Sequence, residues 1–115
     1  MLINIFMTRD EIIKFAKKHD IELSVTWWDE DGEIWLNKII TPESERGNGL
    51  GGEIIEKLKK YCDEKHLVMK LLADSCYGTE IKRLISYYKK HGFESYKEGR
   101  SRSLYYLKYT PEDMK

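Results

Sequence analysis

The run Arg46-Gly47-Asn48-Gly49-Leu50-Gly51-Gly52 concentrates the chemistry this sequence offers. Glycines at 47, 49, 51 and 52 strip side chains from a turn, let the backbone take positive φ, and let a ligand approach the main chain. Helical periodicity follows at once, with Leu50, Ile54, Ile55, Leu58, Tyr61 and Cys62 sharing a face, which predicts a helix over residues 49–65. The first turn of a helix has N–H groups without partners and the positive end of the helix dipole. Loop and helix start together form an anion site suited to a pyrophosphate, with Arg46 adding a charge at its edge. The plain alternative is a glycine-rich turn with no ligand. Three glycines at alternate positions before an amphipathic helix argue against it.

The elements on either side decide which anion site this is. Thr8-Arg9-Asp10-Glu11 has the capping-box form, and Ile12, Phe15 and Ala16 follow at helical spacing, so residues 9–18 read as a short amphipathic helix. Over 21–28 the period becomes two: Ile21, Leu23, Val25 and Trp27 face one way, and Glu22, Ser24, Thr26 and Trp28 the other. Asp29-Glu30-Asp31-Gly32 ends in an Asp-Gly pair that favours a tight hairpin, so a strand over 33–40 runs back antiparallel until Pro42 stops it. Beyond the glycine-led helix, residues 67–73 are nearly all apolar, as expected of a strand covered on both faces. Ile81, Leu84, Ile85 and Tyr88 mark another helix, with Gly92 placed as its left-handed cap. Strands near 93–97 and 103–109, joined by a turn containing Gly99, finish the chain. With an optional strand at the very start, the order is (β)-α-β-β-α-β-α-β-β, an α/β fold with a strand-helix-strand crossover at 33–73.

This setting narrows the glycine motif. A P-loop closes on Lys-Ser/Thr, and Gly51-Gly52-Glu53 stands there instead. A dinucleotide fingerprint opens a parallel βαβ unit and has an acidic residue on the next strand, whereas this loop follows a hairpin and 67–73 holds no acid.

Arg46-x-x-Gly49-x-Gly51 resembles the Gln/Arg-x-x-Gly-x-Gly/Ala signature of the GNAT N-acetyltransferase superfamily, and Tyr88-Lys89-Lys90-His91-Gly92-Phe93 is similar to its second landmark, Tyr-x-x-x-Gly-Phe. The resemblance covers about residues 33–109, and the N-terminal third matches in element type only and is abbreviated. Ile81 stands where many members have Asn. The resemblance implies one compact domain over 1–115, with a central mixed, mostly antiparallel sheet flanked by helices. It implies an acetyl-CoA-dependent N-acetyltransferase in which an amine attacks the thioester directly. Main chain of Arg46, Gly47, Asn48, Gly49, Leu50, Gly51 and Gly52 would hold the coenzyme pyrophosphate. The pantetheine arm would pair near Ile39 and Ile40, a backbone amide of strand 33–40 would polarise the carbonyl, and Tyr88 would protonate or orient the departing thiolate. No metal is implied.

An amine nucleophile must lose its proton, because a lysine-like amine has pKa ~10. A carboxylate or a water held by one is the expected acceptor: Glu30, Asp31 and Glu33 at the hairpin, or Asp74 after the central strand. Glu33 and Asp74 are the candidates carried forward, although strand-end carboxylates are commonly just solvated. Asp29, Glu30, Asp31 and Glu33 beside Trp27 and Trp28 could also recruit an ammonium to the hairpin tip. Trp27, Trp28 and Trp35 are otherwise packing residues, Lys57, Lys59 and Lys60 a solvated face with reach toward a coenzyme phosphate, and Tyr87 a packing or surface residue about 100° round the helix from Tyr88.

Composition sets the outer bounds. A chain of 115 residues, 41% hydrophobic and 35% charged, makes one soluble globular domain. Twenty basic and twenty acidic residues cancel, which argues against a dedicated nucleic-acid binder despite Lys82-Arg83, Lys89-Lys90 and Arg100-x-Arg102. No apolar run reaches the ~20 residues of a membrane span, and residues 1–6 lack the form of a signal peptide. Cys62 and Cys76 have no metal-ligand spacing and read as free thiols in a reducing cytoplasm. The partners expected are an amine-bearing small molecule or protein, and a homodimer is compatible with the sequence. The second functional class is a non-catalytic GNAT-like module that binds coenzyme A, or nothing, and serves as an adaptor.

Overall fold

A computed structural model describes residues 6–45, 47, 49–73, 81–98 and 105–115. Helix α1 (Arg9–Lys18) starts where the sequence caps it: the Glu11 amide donates to Thr8 Oγ1 at 3.1 Å, with acids in the first turn and Lys17 and Lys18 in the last. Strands β1 (Glu22–Trp28) and β2 (Glu33–Ile40) form the expected antiparallel hairpin. Its connection is wider than the two-residue turn that Asp-Gly favours. Trp28 pairs with Glu33, so residues 29–32 all lie in the loop, as a 3₁₀ turn over Asp29–Asp31 closed by Gly32 at φ 78°.

Helix α2 (Leu50–Lys65) crosses to strand β3 (Val68–Ala73), which lies parallel to β2. Helix α3 (Ile81–Lys90) ends at Gly92, whose φ of 92° is the left-handed stop expected there. Strands β4 (Glu94–Glu98) and β5 (Tyr105–Tyr109) complete a five-stranded sheet in the order β1-β2-β3-β5-β4, antiparallel except for the β2–β3 pair. This is the mixed, mostly antiparallel sheet with helices that the sequence implied. The optional first strand, the turn at Gly99, the start of the last predicted strand and Cys76 lie outside the described residues. Cys62 is a buried free thiol, and burial pushes its pKa up to about 12, which keeps it inert.

One core joins all three helices to one face of the sheet. Ile34 and Leu36, Met69 and Leu71, and Leu107 point into it against Ile12 and Ala16 of α1, Ile54, Ile55 and Leu58 of α2, and Tyr88 of α3. The strand alternation leaves Glu33, Trp35, Lys70 and Leu72 on the opposite face. Here the structure corrects an expectation: β3 is not covered on both sides. Leu72 is 39% exposed in the middle strand of the sheet, and Val68 and Lys70 are half-buried, so the apolar run hid a two-faced strand. No helix among the described residues is long and apolar enough to cross a membrane.

Candidate functional site

The parallel ladder between β2 and β3 stops early. It pairs Glu33 with Val68 through to Leu36 with Leu71, although β2 continues to Ile40 and β3 to Ala73. At the same level β2 carries a bulge: Ser24 faces Lys38 while Val25 faces Leu36, so Asn37 is the extra residue. A bulge bends its strand and increases its twist, and here it falls at the level where the described pairing with β3 ends. The result is a slot in the sheet at the carboxyl ends of its two parallel strands, the end where open α/β sheets bind ligands. Ile39 and Ile40 stand on its wall, half-buried, held by Leu23 and Glu22 of β1 on one side and lying beyond the last β2–β3 pair among the described residues on the other. Asn37 Nδ2 donates to Thr26 Oγ1 at 2.8 Å and fixes the bulged segment to β1.

The loop leaving this end of β2 leads into α2. Gly49 is the N-cap at φ 77°, and Gly47 has φ 91°. A Cβ at either would meet nothing within 4 Å, so these two glycines serve backbone conformation and leave open space before the loop. Gly51 and Gly52 do something else. They lie in the helix, where a Cβ on Gly51 would stand 3.4 Å from the Tyr87 hydroxyl, and one on Gly52 3.4 Å from the His91 ring. Their missing side chains let α3 come close. The first amide closed by the helix is that of Glu53, onto the carbonyl of Gly49 at 3.0 Å. The N–H groups of Leu50, Gly51 and Gly52 therefore have no acceptor within α2 and sit at its positive end. Leu50 itself turns its side chain into the core. Arg46 and Asn48 lie outside the described residues.

Tyr88 is only 7% exposed, set against Tyr87 and Phe93 with ring centroids 5.5 and 5.4 Å away. Burial, and then the neighbouring Tyr87, push its pKa up to about 12, so the phenol keeps its proton at neutral pH. Tyr87 is the residue that sequence reasoning undervalued. It does pack, on Tyr88 and His91, but its hydroxyl lies at Gly51 at the head of α2. The i, i+4 spacing of Tyr87 and His91 on α3 was the available signal. These two, with Gly49, Gly52, Lys57 and Lys60, line a groove of about 710 Å³ beside the helix start. His91 Nδ1 pairs with Glu56 Oε2 at 2.7 Å, which anchors α3 to α2 at this wall.

The carboxylates are arranged less favourably for catalysis. Glu33 stands at the closed end of the ladder, roughly 10 Å from Leu36 at strand spacing. Its Oε2 lies 2.6 Å from Lys70 Nζ and its Oε1 accepts from Trp35 Nε1 at 3.1 Å. The Lys70 contact, against an opposing effect of burial, holds its pKa below the usual carboxylate value. Asp29 is also committed, ion-paired to Arg9 at 2.7 Å and accepting from the Tyr61 hydroxyl. Burial acts to raise its pKa, but Tyr61 and Arg9 outweigh that and leave it low. The whole hairpin tip lies at the other end of β2 from the glycine loop, a separation of roughly 25 Å along the strand. Asp74 lies outside the described residues.

No protein-family model and no curated protein matches the sequence. Solved structures do match the fold. Arabidopsis thaliana Naa50, solved with the bisubstrate analogue CoA-Ac-MVNAL, is similar at TM-score 0.57 and 19% identity, over 78% of this chain and 63% of that one. Ard1 from Thermoplasma volcanium matches at TM-score 0.57 and 16% identity, over 95% of this chain and 83% of its own. An acetyltransferase from Bacillus cereus matches at TM-score 0.56 and 15% identity, over 96% of each. The chain has the GNAT-type acetyltransferase fold. At these identities the likeness is one of architecture.

Proposed function

We propose that this protein is an N-acetyltransferase that takes acetyl-CoA as donor and passes the acetyl group to a primary amine. The observation that carries the reading is the early end of the β2–β3 ladder, which opens a slot beside the glycine-led start of α2. A pyrophosphate at the Leu50, Gly51 and Gly52 amides would meet three N–H groups that have no acceptor within α2, at the helix's positive end. Gly47 and Gly49 shape that turn by their positive φ, and Arg46 and Asn48 belong to the same stretch of sequence. The pantetheine arm would enter the slot along the edge of Ile39 and Ile40, beyond the last described β2–β3 pair. The bulge at Asn37 supplies irregular backbone at the depth where a carbonyl needs an N–H donor.

The reaction joins the amine nitrogen to the acetyl carbon and breaks the carbon–sulfur bond, releasing the thiol form of the coenzyme. Tyr88 is assigned to the departing sulfur as a hydrogen-bond donor. A phenol near 12 is a much weaker acid than a thiol near ~8.5, so full proton transfer to the thiolate is uphill, while donation of a hydrogen bond is not. The amine gives its proton to a carboxylate, or to a water held by one. Glu33 would have to leave Lys70 to serve as base, and Asp74, next in sequence after β3, is the carboxylate retained for that role. A panel of primary amines with acetyl-CoA, followed by release of free thiol, tests the reading. Amine-dependent release is the expected result, and none above the uncatalysed rate with any acceptor counts against catalysis.

A further inference from the structure

Building on the acetyl-transfer reading, we infer that the acceptor reaches the slot from the face of the sheet opposite the core, and that it is a primary amine borne beside a large apolar or aromatic group. The core side of the slot is occupied: helix α2 begins there, and the buried side chains of all three helices fill that face. On the other face the described side chains Glu33, Trp35, Lys70 and Leu72 are half-buried or exposed, which leaves that face to a nucleophile approaching a thioester held in the slot.

That face has a specific character around the slot's mouth. Leu72 is the first residue of β3 beyond the ladder, and it is 39% exposed although β3 is the central strand. Its register partner on β5 is Tyr106. The Trp35 ring meets Tyr106 edge-on, with centroids 6.3 Å apart, and Tyr96, also substantially exposed, lies 6.0 Å beyond. Trp35, Leu72 and Tyr106 thus make a contiguous apolar wall at the open side of the break in the ladder. Leu72 is exposed there while Trp35 and Tyr106 are half-buried, and apolar side chains gathered beside a break in the middle of a sheet mark a contact site in a way that single exposed apolar residues do not.

Charge selects the same class of acceptor. Glu33, a carboxylate on this face, is neutralised by Lys70 at 2.6 Å, and Lys70 itself stands over Trp35 and Tyr96 at 5.9 Å from each ring. Lys108 covers the Tyr96 ring at 5.4 Å. The ring faces already hold cations of the protein's own, so a polycationic acceptor gains little there, and apolar contact is left as the basis of selection.

The test compares kcat/KM for phenethylamine against ethanolamine, and for short peptides with an N-terminal Phe against N-terminal Asp or Lys. The first pair reports a small-molecule source of the amine and the second a peptide terminus. The inference expects the apolar member to be preferred about tenfold or more in at least one pair, the size of effect an apolar pocket delivers. Leu72→Ser, at an exposed site where folding is retained, should raise KM for the preferred acceptor about tenfold, hold kcat, and leave acetyl-CoA affinity within twofold. Tyr106→Ala should do the same. Acetyl-CoA binding and turnover without acceptor preference, or with unchanged KM in both variants, overturn this inference and leave the enzymatic reading standing. Absence of acetyl-CoA binding by the wild-type protein overturns both.

Discussion

Tyr87 and Tyr88 show how two adjacent residues of one type acquire different work from burial alone. Tyr88 turns into the core and keeps its proton because the charged phenolate would be desolvated. Tyr87, one position earlier on α3, reaches outward to the head of α2. If Tyr88 orients the leaving thiolate by a hydrogen bond, Tyr88→Phe should lower kcat by roughly 10- to 100-fold, the equivalent of one hydrogen bond to a charged group, with acetyl-CoA affinity nearly unchanged. Steady-state kinetics beside calorimetric binding would decide it, since weaker binding with normal kcat would make Tyr88 a packing residue. The motif spacing made Tyr88 visible in the sequence. Tyr87 was not, because its part depends on where a second helix packs, and no local pattern records that.

Among the elements, α2 carries the account, and its four nearby glycines are not interchangeable. Gly49 needs its left-handed conformation, which costs an L-residue about 1–2 kcal/mol, more if β-branched. Gly51 is helical and has ordinary contact distance to Tyr87. Gly51→Ala is therefore expected to keep or slightly raise the melting temperature, by up to about 1 kcal/mol in stability, and to leave acetyl-CoA affinity within about threefold, because the methyl would face the Tyr87 hydroxyl and Thr41. Thermal melts and binding on the same sample check both expectations, and a destabilised Gly51→Ala variant would show that the helix contact requires glycine there. Element boundaries were largely legible: periodicity gave β2 to the residue and α2 within one residue. The bulge at Asn37 was not, since nothing in Asn37-Lys38-Ile39 differs from an ordinary strand and the bulge exists only in the pairing with β1. The exposed side of β3 was missed for the same reason. Val68 and Leu72 look buried by composition, but burial depends on what covers the sheet.

At the scale of the molecule, the two ends of the sheet do different things. The carboxyl end of the parallel pair opens into the slot, and the hairpin end is tied down by charge. There Arg9 of α1 donates to Tyr61 of α2 at 2.9 Å and pairs with Asp29 of the hairpin, so three elements meet in one polar knot, while Glu33 and Lys70 join β2 to β3. Of the four carboxylates the sequence offered as lures for a cationic substrate, Asp29, Glu30, Asp31 and Glu33, the fold pairs Asp29 with Arg9 and Glu33 with Lys70. Both carboxylates are held below their ordinary values of 3.8 and 4.5. Stability from a depressed carboxylate is present above its unfolded pKa and is lost as pH falls through the lower folded value. The urea midpoint should accordingly be level from pH 7 to about 5 and decline below about 4.5. Asp29→Asn should lower it at pH 7 and make the decline shallower, whereas a parallel, merely offset curve would show that Asp29 does not take part.

The central claim is that the turn into α2 receives the coenzyme, and isothermal titration of acetyl-CoA into the wild-type protein and into Gly49→Val addresses it directly. The account predicts saturable one-to-one binding by the wild type and a loss of at least about tenfold in affinity in a Gly49→Val variant that still melts cooperatively. A wild-type protein that takes up no acetyl-CoA, or a folded Gly49→Val variant that binds it equally well, would contradict the account.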